Sequence, residues 1–290
     1  MSFQESSIAI LSPGLLGGSL ILAIRKKYPL ATIRVWARRA EALDEVKARV
    51  PSAICCTTIA EAVADASLAV LCMPVEHMLA AAEQIGAARV RPELIVTDVG
   101  SVKGAVVSAL EPVLAQKGIT FLGSHPMAGS HATGMAHARA DLFQNAACLI
   151  TPTERTPAEA LERLKSFWST LGCHLLIKSP TEHDRCVARV SHLPHVMAAL
   201  TTLAALRADP SHVAAAAGGM RDTTRVAAGD PGLWTGILSQ NRAEVLAALQ
   251  DAALHLQALT QILSQHHDTE LHDLLSEAKS LRDLITPHGG

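Results

Sequence analysis

No stretch of this sequence gathers lysine and arginine into a block, and the formal net charge is only −2 over 290 residues. Nothing is therefore available to neutralise a phosphate backbone or an anionic bilayer, so neither nucleic acid nor a membrane surface is an expected partner. Met1 to Ser7 lack the basic start and apolar core of a signal peptide, and a cytoplasmic protein is expected. Long apolar runs are missing too: Val196 to Leu206 is interrupted by Thr201 and Thr202, is too short to span a bilayer, and reads as a buried helix. The six cysteines contain no Cys-x-x-Cys pair, which argues for buried thiols in a reducing compartment rather than disulfides or a zinc site. Fourteen histidines occur without a His-Glu-x-x-His motif. His192 and His195 have a chelating spacing, yet no carboxylate follows at ligand spacing, and no metal is expected. Repeats and low-complexity tracts are absent.

What is present is a chain 49% apolar and 18% charged, the balance of a globular protein and long enough for two domains. From Ser7 to Ile177 short β-rich apolar runs alternate with helix-length segments. The strands predicted are Ile8–Leu11, Ile33–Trp36, Ala53–Cys56, Leu68–Cys72, Leu94–Thr97, Thr120–Leu122, Ala147–Ile150 and His174–Ile177. Between them lie helices such as Leu15–Lys26, Val75–Ile85, Val102–Gln116 and Ala158–Leu171. This alternation predicts an α/β doubly wound, mostly parallel sheet of Rossmann type covered on both faces. Beyond Ser179-Pro180 the strand signal stops and the rest reads as helix. The predicted division is residues 1–178, dinucleotide-binding, and 179–290, a helical substrate-binding and dimerisation domain. Between Asn241 and Gln265, Leu246, Leu249, Ala253, Leu256, Leu259 and Leu263 recur three and four apart and form one apolar stripe. That stripe serves either its own bundle or a second copy of the chain; the helix is long for so small a domain, and a homodimer is favoured.

Directly after the first strand comes Ser12-Pro13-Gly14-Leu15-Leu16-Gly17-Gly18-Ser19, a G-x-G-x-x-G turn with Ser12 at its first glycine position. Gly14 lets the backbone approach a pyrophosphate, Gly17 lets helix and strand pack closely, and the helix N-terminus at Leu15 and Leu16 offers partial positive charge. Serine fits the first position if its φ is negative. The second strand ends in Trp36-Ala37-Arg38-Arg39, where an NAD enzyme usually carries an acid for the ribose hydroxyls. Arg38 and Arg39 suit a 2′-phosphate, so NADP is favoured and NAD is the alternative.

Four further blocks carry polar groups in loop-like settings: Asp98-Val99-Gly100-Ser101-Val102-Lys103; Gly123-Ser124-His125-Pro126-Met127-Ala128-Gly129 continuing to Gly134; Ser191-His192-Leu193-Pro194-His195; and Gly218-Gly219-Met220-Arg221-Asp222-Thr223-Thr224-Arg225. His125, between glycine and proline after an apolar strand, is read as a loop histidine placed for acid–base work. Together with the glycine-rich turn, these blocks resemble the prephenate/arogenate (cyclohexadienyl) dehydrogenases of tyrosine biosynthesis, in the same order over nearly the whole chain.

The resemblance implies an oxidative decarboxylation in which hydride leaves C4 of a cyclohexadiene for a nicotinamide, the C4 hydroxyl loses its proton, and CO₂ departs from C1. It implies His125 as the proton acceptor, with Ser101 orienting it or the hydroxyl, and His192, His195 and Arg225 lining the substrate pocket with Ser124 and Gly129. Met73-Pro74 and Asp98 would border the cofactor. Read without the resemblance, Ser101 is a helix N-cap, Arg225 a partner for Asp222, and His192 a satisfied core histidine. Prephenate carries a ketone where arogenate carries an ammonium. The loop Gly129-Ser130-His131-Ala132-Thr133-Gly134 contains no acid to pair an ammonium, while His131 and Thr133 can donate to oxygen, so prephenate is favoured over arogenate. The competing readings are another two-domain dehydrogenase, such as a β-hydroxyacid dehydrogenase or imine reductase, and a dinucleotide sensor without turnover.

Overall fold

The computed structural model describes residues 6–129 and 134–285. Its first part alternates strands and helices: β1 (Ser7–Leu11), α1 (Leu15–Lys27), β2 (Thr32–Trp36), α2 (Ala40–Arg49), β3 (Ile54–Cys56), α3 (Ile59–Val63), β4 (Leu68–Leu71), α4 (Met78–Ala87), β5 (Ile95–Asp98), α5 (Gly104–Ala115) and β6 (Thr120–Phe121). These strands form one parallel sheet in the order β3-β2-β1-β4-β5-β6, the doubly wound arrangement, whose crossovers place helices on both faces. Strand periodicity shows why both faces are apolar. Ile8 and Ile10 of β1, with Leu68 and Val70 of β4, enter one core cluster; Ala9 and Leu11, with Ala69 and Leu71, enter the other.

The sequence reading placed every strand in a single sheet and put His125 on a loop; the structure corrects both. Residues Gly123–Pro126 form β7, which pairs antiparallel with β8 (Ala147–Thr151), and β8 pairs parallel with β9 (His174–Ile177) in a second sheet. A strand containing Pro126 escapes the usual pattern because β7 is the edge of this small sheet and Pro126 is its last residue. Helix α6 (Ala158–Thr170) covers it with Leu164, Phe167 and Trp168, which join the same core cluster as Ile8 and Leu20.

After β9 the described chain is helical. Helix α7 (Pro180–Val187) opens with a capping box between Ser179 and Glu182 and with Pro180 in its first turn. A widened π turn over Ala188–His192 leads into α8 (Leu193–Leu206). Then come α9 (Gly218–Thr224), a 3₁₀ turn over Arg225–Ala228, α10 (Pro231–Gln240), α11 (Arg242–Ser264) and α12 (Asp268–Asp283). The expectation that Val196–Leu206 is buried is not met within one chain: α8 buries only His195 and Ala198, and Leu200 and Leu203 are about half exposed at 48% and 50%. An apolar helix left half-uncovered by its own chain has surface to bury elsewhere. None of the described helices is long and apolar enough to cross a membrane.

Candidate active site

At the carboxyl ends of β1, β2 and β4, where ligands bind in open α/β sheets, lies a cavity of about 410 Å³. Its walls include Ser12, Gly14, Ala37, Arg38, Arg39, Met73 and Pro74, together with His77, Ala81 and Gln84 near α4 and with Gly134 and Met135. Gly14 is the N-cap of α1 and makes no side-chain cap, so the first-turn N–H groups stay available. A Cβ built on Gly14 would meet nothing within 4 Å, whereas one on Gly17 would collide with the Ser12 carbonyl and crowd Cys72. One glycine thus opens the turn to a ligand and the other seats the helix on the sheet. Leu15 and Leu16, half-buried, lie in the first turn of α1 beyond the cavity wall. Glu45 of α2 also lines the cavity, but on the helix and not at the end of β2. Arg49 holds this side in place, donating to the backbone carbonyls of Met135 and Ala138.

Ser12 departs from the expected geometry. Its φ is +81°, the left-handed region that serine occupies at a cost and glycine occupies freely. The turn enforces it: the Ser12 N–H donates to the Trp36 carbonyl at 2.8 Å, while the Ser12 carbonyl accepts from the Gly14 N–H at 3.0 Å.

Beyond β5 the chain forms a chain of buried polar groups. His125 is 7% exposed; its Nδ1 lies 2.9 Å from Nε2 of His183, whose own Nδ1 lies 2.8 Å from Oδ1 of Asp184. Asp184 reaches across from α7 to the start of α5, its Oδ1 and Oδ2 accepting the N–H groups of Lys103 and Gly104, each at 2.8 Å. Burial alone would raise the Asp184 carboxyl, but hydrogen bonds from His183, Lys103 and Gly104 outweigh it and hold the group below the usual carboxylate range. Burial pushes His125 well below an ordinary imidazole, and the charges of His183, Lys103 and His192 add to the effect. His125 is therefore neutral at pH 7 and able to accept a proton.

Two expected site residues serve the fold instead. Asp98, expected at the cofactor, is fully buried beneath this chain: it pairs with the equally buried Lys103 and accepts from the N–H groups of Gly100 at 2.8 Å and Ser124 at 3.2 Å. Ser124, expected at the substrate, is also fully buried; its hydroxyl donates to the Asp98 carbonyl at 2.7 Å and takes the Trp168 indole N–H at 3.1 Å. Alternation along β7 is the reason, since neighbours point to opposite faces and only one of Ser124 and His125 can face outward from the core. Ser101 is not the N-cap of α5, which begins at Gly104 behind Lys103. It follows Gly100, where an added Cβ would crowd the Asp98 carboxylate, Val75 and Met78.

The helical part contributes His192 and His195. Asn241, buried between α10 and α11, donates through Nδ2 to the Asp184 carbonyl at 2.8 Å and to His192 Nδ1 at 3.2 Å. Among the described residues, His192 Nε2 and His195 Nδ1 are buried with no hydrogen-bond partner, the mark of polar atoms open to a ligand. Burial pushes the His192 imidazole down to about 4 and lowers that of His195. The His195 ring stacks on Trp234 at a centroid separation of 3.5 Å. Arg225 is exposed at the end of α9 and makes no ion pair with Asp222 among the described residues. Gly129 is exposed, and a Cβ there would meet no atom of the described residues within 4 Å. His131 and Thr133 lie outside the described residues. His183, Asp184 and Asn241 were missed by sequence reasoning; His183 and Asp184 carry no motif signal, and the packing of α7 on α5 buries them.

A glycine-opened turn at the head of a doubly wound sheet, paired arginines at the end of its second strand, and neutral imidazoles brought to the same side by a helical second part together define a two-domain dehydrogenase using a nicotinamide dinucleotide. The comparisons place it within that class. The nucleotide-binding domain model of prephenate dehydrogenase matches residues 21–177, and the dimerisation domain model of the same enzyme matches 179–277. The chain belongs to the prephenate dehydrogenase family. It is 32% identical to prephenate dehydrogenase of Bacillus subtilis, over 98% of this chain and 77% of the relative. It is also 32% identical to cyclohexadienyl dehydrogenase of Zymomonas mobilis, over 97% of each chain. Among solved structures, prephenate dehydrogenase of Aquifex aeolicus with hydroxyphenyl propionate and NAD+ superposes with a TM-score of 0.88 at 26% identity, covering 97% of this chain and 98% of that one.

Proposed function

We propose that this enzyme converts prephenate to 4-hydroxyphenylpyruvate, with NADP as the oxidant. The observation that carries the reading is His125, a neutral buried imidazole backed by His183 and Asp184 in a chain of 2.9 and 2.8 Å contacts. A bound nicotinamide supplies the acceptor for the hydride from C4. His125 takes the proton of the C4 hydroxyl as the carbon–oxygen double bond forms; the electron pair of the C1–carboxylate bond enters the ring as CO₂ leaves, the ring becomes aromatic with a phenolate at C4, and the proton held on His125 returns to that oxygen to give the phenol. His192 and His195 supply polar ring atoms for the substrate's oxygens, and Arg225, free of a carboxylate partner among the described residues, supplies a planar cation for a carboxylate. Ser101 follows Gly100 at the cofactor end and lies within this scheme as a hydroxyl donor.

Two specificities follow from the chain's own groups. Arg38 and Arg39 line the cavity with Ala37 and no acid at the end of β2, which supports NADP over NAD. The carboxylates beside the histidine cluster, Asp98 and Asp184, are both committed to internal donors, which supports a keto substrate over one carrying an ammonium. The exposed faces of α8, α11 and α12, where Leu200, Leu246, Leu256, Leu263 and Leu275 all lie open, support a homodimer through the helical residues 179–290. The test is steady-state reduction with prephenate and arogenate against NADP and NAD in all four combinations. Prephenate with NADP is expected to give the highest kcat/KM, and an arogenate preference would overturn the substrate reading.

A further inference from the structure

The hydrogen-bond chain from α7 to β7 determines where protons sit on two histidines, and this rests on the reading of His125 as the base. Among the described residues, the Asp184 carboxylate meets only donors: the N–H groups of Lys103 and Gly104, which cannot change role, and Nδ1 of His183. A carboxylate accepts from all three, so the His183 proton is drawn to Nδ1 and its Nε2 is left as an acceptor. The partner of that Nε2 is Nδ1 of His125, which must then carry its proton. We propose that Asp184, acting through His183, is a positioning residue that fixes His125 in the tautomer with an unprotonated Nε2, the only form able to accept the substrate's proton.

The logic parallels the carboxylate that orients the histidine of a hydrolytic triad, with one imidazole interposed. It also accounts for a helix cap borrowed across the molecule: capping the start of α5 uses both oxygens of Asp184 and pins its carboxylate in the orientation that His183 reads. Other groups face these rings without replacing that role. Lys103 and His192 face His125, whose backbone meets the Cys148 thiol, and Lys103 and Asp98 face His183. None of them supplies an acceptor for His183 Nδ1.

Asp184→Ala removes the acceptor to which His183 Nδ1 donates. The His183 proton then moves to Nε2, where it donates to His125 Nδ1 and forces His125 into the opposite tautomer. The expected loss in kcat/KM is on the order of 10²-fold. His183→Gln keeps an acceptor that can meet His125 Nδ1–H without help from Asp184, so adding Asp184→Ala to it should cost little further. Equal losses from Asp184→Ala in both backgrounds would show a cap that matters only for folding and overturn the proposal. A ligand-free readout separates this from the reaction itself: two-bond ¹H–¹⁵N correlation spectra should show His125 protonated at Nδ1 in the wild type and at Nε2 in Asp184→Ala. Finding His125 protonated at Nε2 in the wild type would overturn the relay whatever the substrate proves to be, while the expected tautomer without prephenate turnover would sink the substrate reading alone.

Discussion

Asn241 fixes the protonation of His192. Its Nδ2 can only donate, so His192 Nδ1, 3.2 Å away, must accept, and the neutral ring carries its proton on Nε2, a buried donor without a protein partner. The contact joins α11 to the turn before α8 and presents one N–H to whatever binds there.

Stability should follow from this arrangement. Burial holds the folded-state pKa of His192 at about 4, below the ordinary value near 6.5, so the unfolded chain binds the proton more readily. The contribution is whole above pH 6.5 and is lost as pH falls toward 4, on the order of 3 kcal/mol. Urea unfolding at pH 7 and pH 4.5 should show this loss, and His192→Asn should reduce it.

Ser12 offers a stabilising substitution. With φ at +81°, Ser12→Gly should relieve about 1 kcal/mol of backbone strain. Thermal unfolding checks this, and a variant no more stable than the wild type would mean that the added chain entropy of glycine cancels the relief.

The cofactor reading predicts that Arg38→Ala weakens NADP much more than NAD, and that Ala37→Asp with Arg38→Ala reverses the preference. Both positions line the cavity. Ratios of kcat/KM for the two cofactors measure it, and a wild type that favours NAD by about tenfold, or 1.4 kcal/mol, contradicts it.

The helical surface predicts a dimer. Leu246 and Leu256 of α11 are 52% and 61% exposed in the single chain, and Leu256→Glu should convert a particle of twice 30.6 kDa into one of that mass. Light scattering at micromolar concentration reads this directly.

Much of the fold was legible because each central strand is a short apolar run buried on both faces, as in Ile8–Leu11 and Leu68–Leu71. The glycine-rich turn and the arginines after β2 were legible because chemistry and position coincide in one local stretch. Strand β7 was not, since Gly123 and Pro126 carry loop signals and its pairing depends on β8, more than twenty residues away. The positive φ of Ser12 stayed hidden because the bond to Trp36 that enforces it is non-local. His183 and Asp184 stayed hidden for the same reason, being polar residues of a capped first turn that become interior only when α7 meets α5.

The central claim is that neutral His125 removes the C4 hydroxyl proton of prephenate. Single-turnover and steady-state rates of prephenate-dependent NADP reduction, followed by the near-ultraviolet absorbance of the reduced nicotinamide, should be compared between the wild type and His125→Asn. The account predicts a loss on the order of 10³-fold in kcat/KM with prephenate binding retained, and a wild-type acid limb below pH 6.5, set by the lowered imidazole. A His125→Asn enzyme that keeps most of the wild-type rate would contradict it.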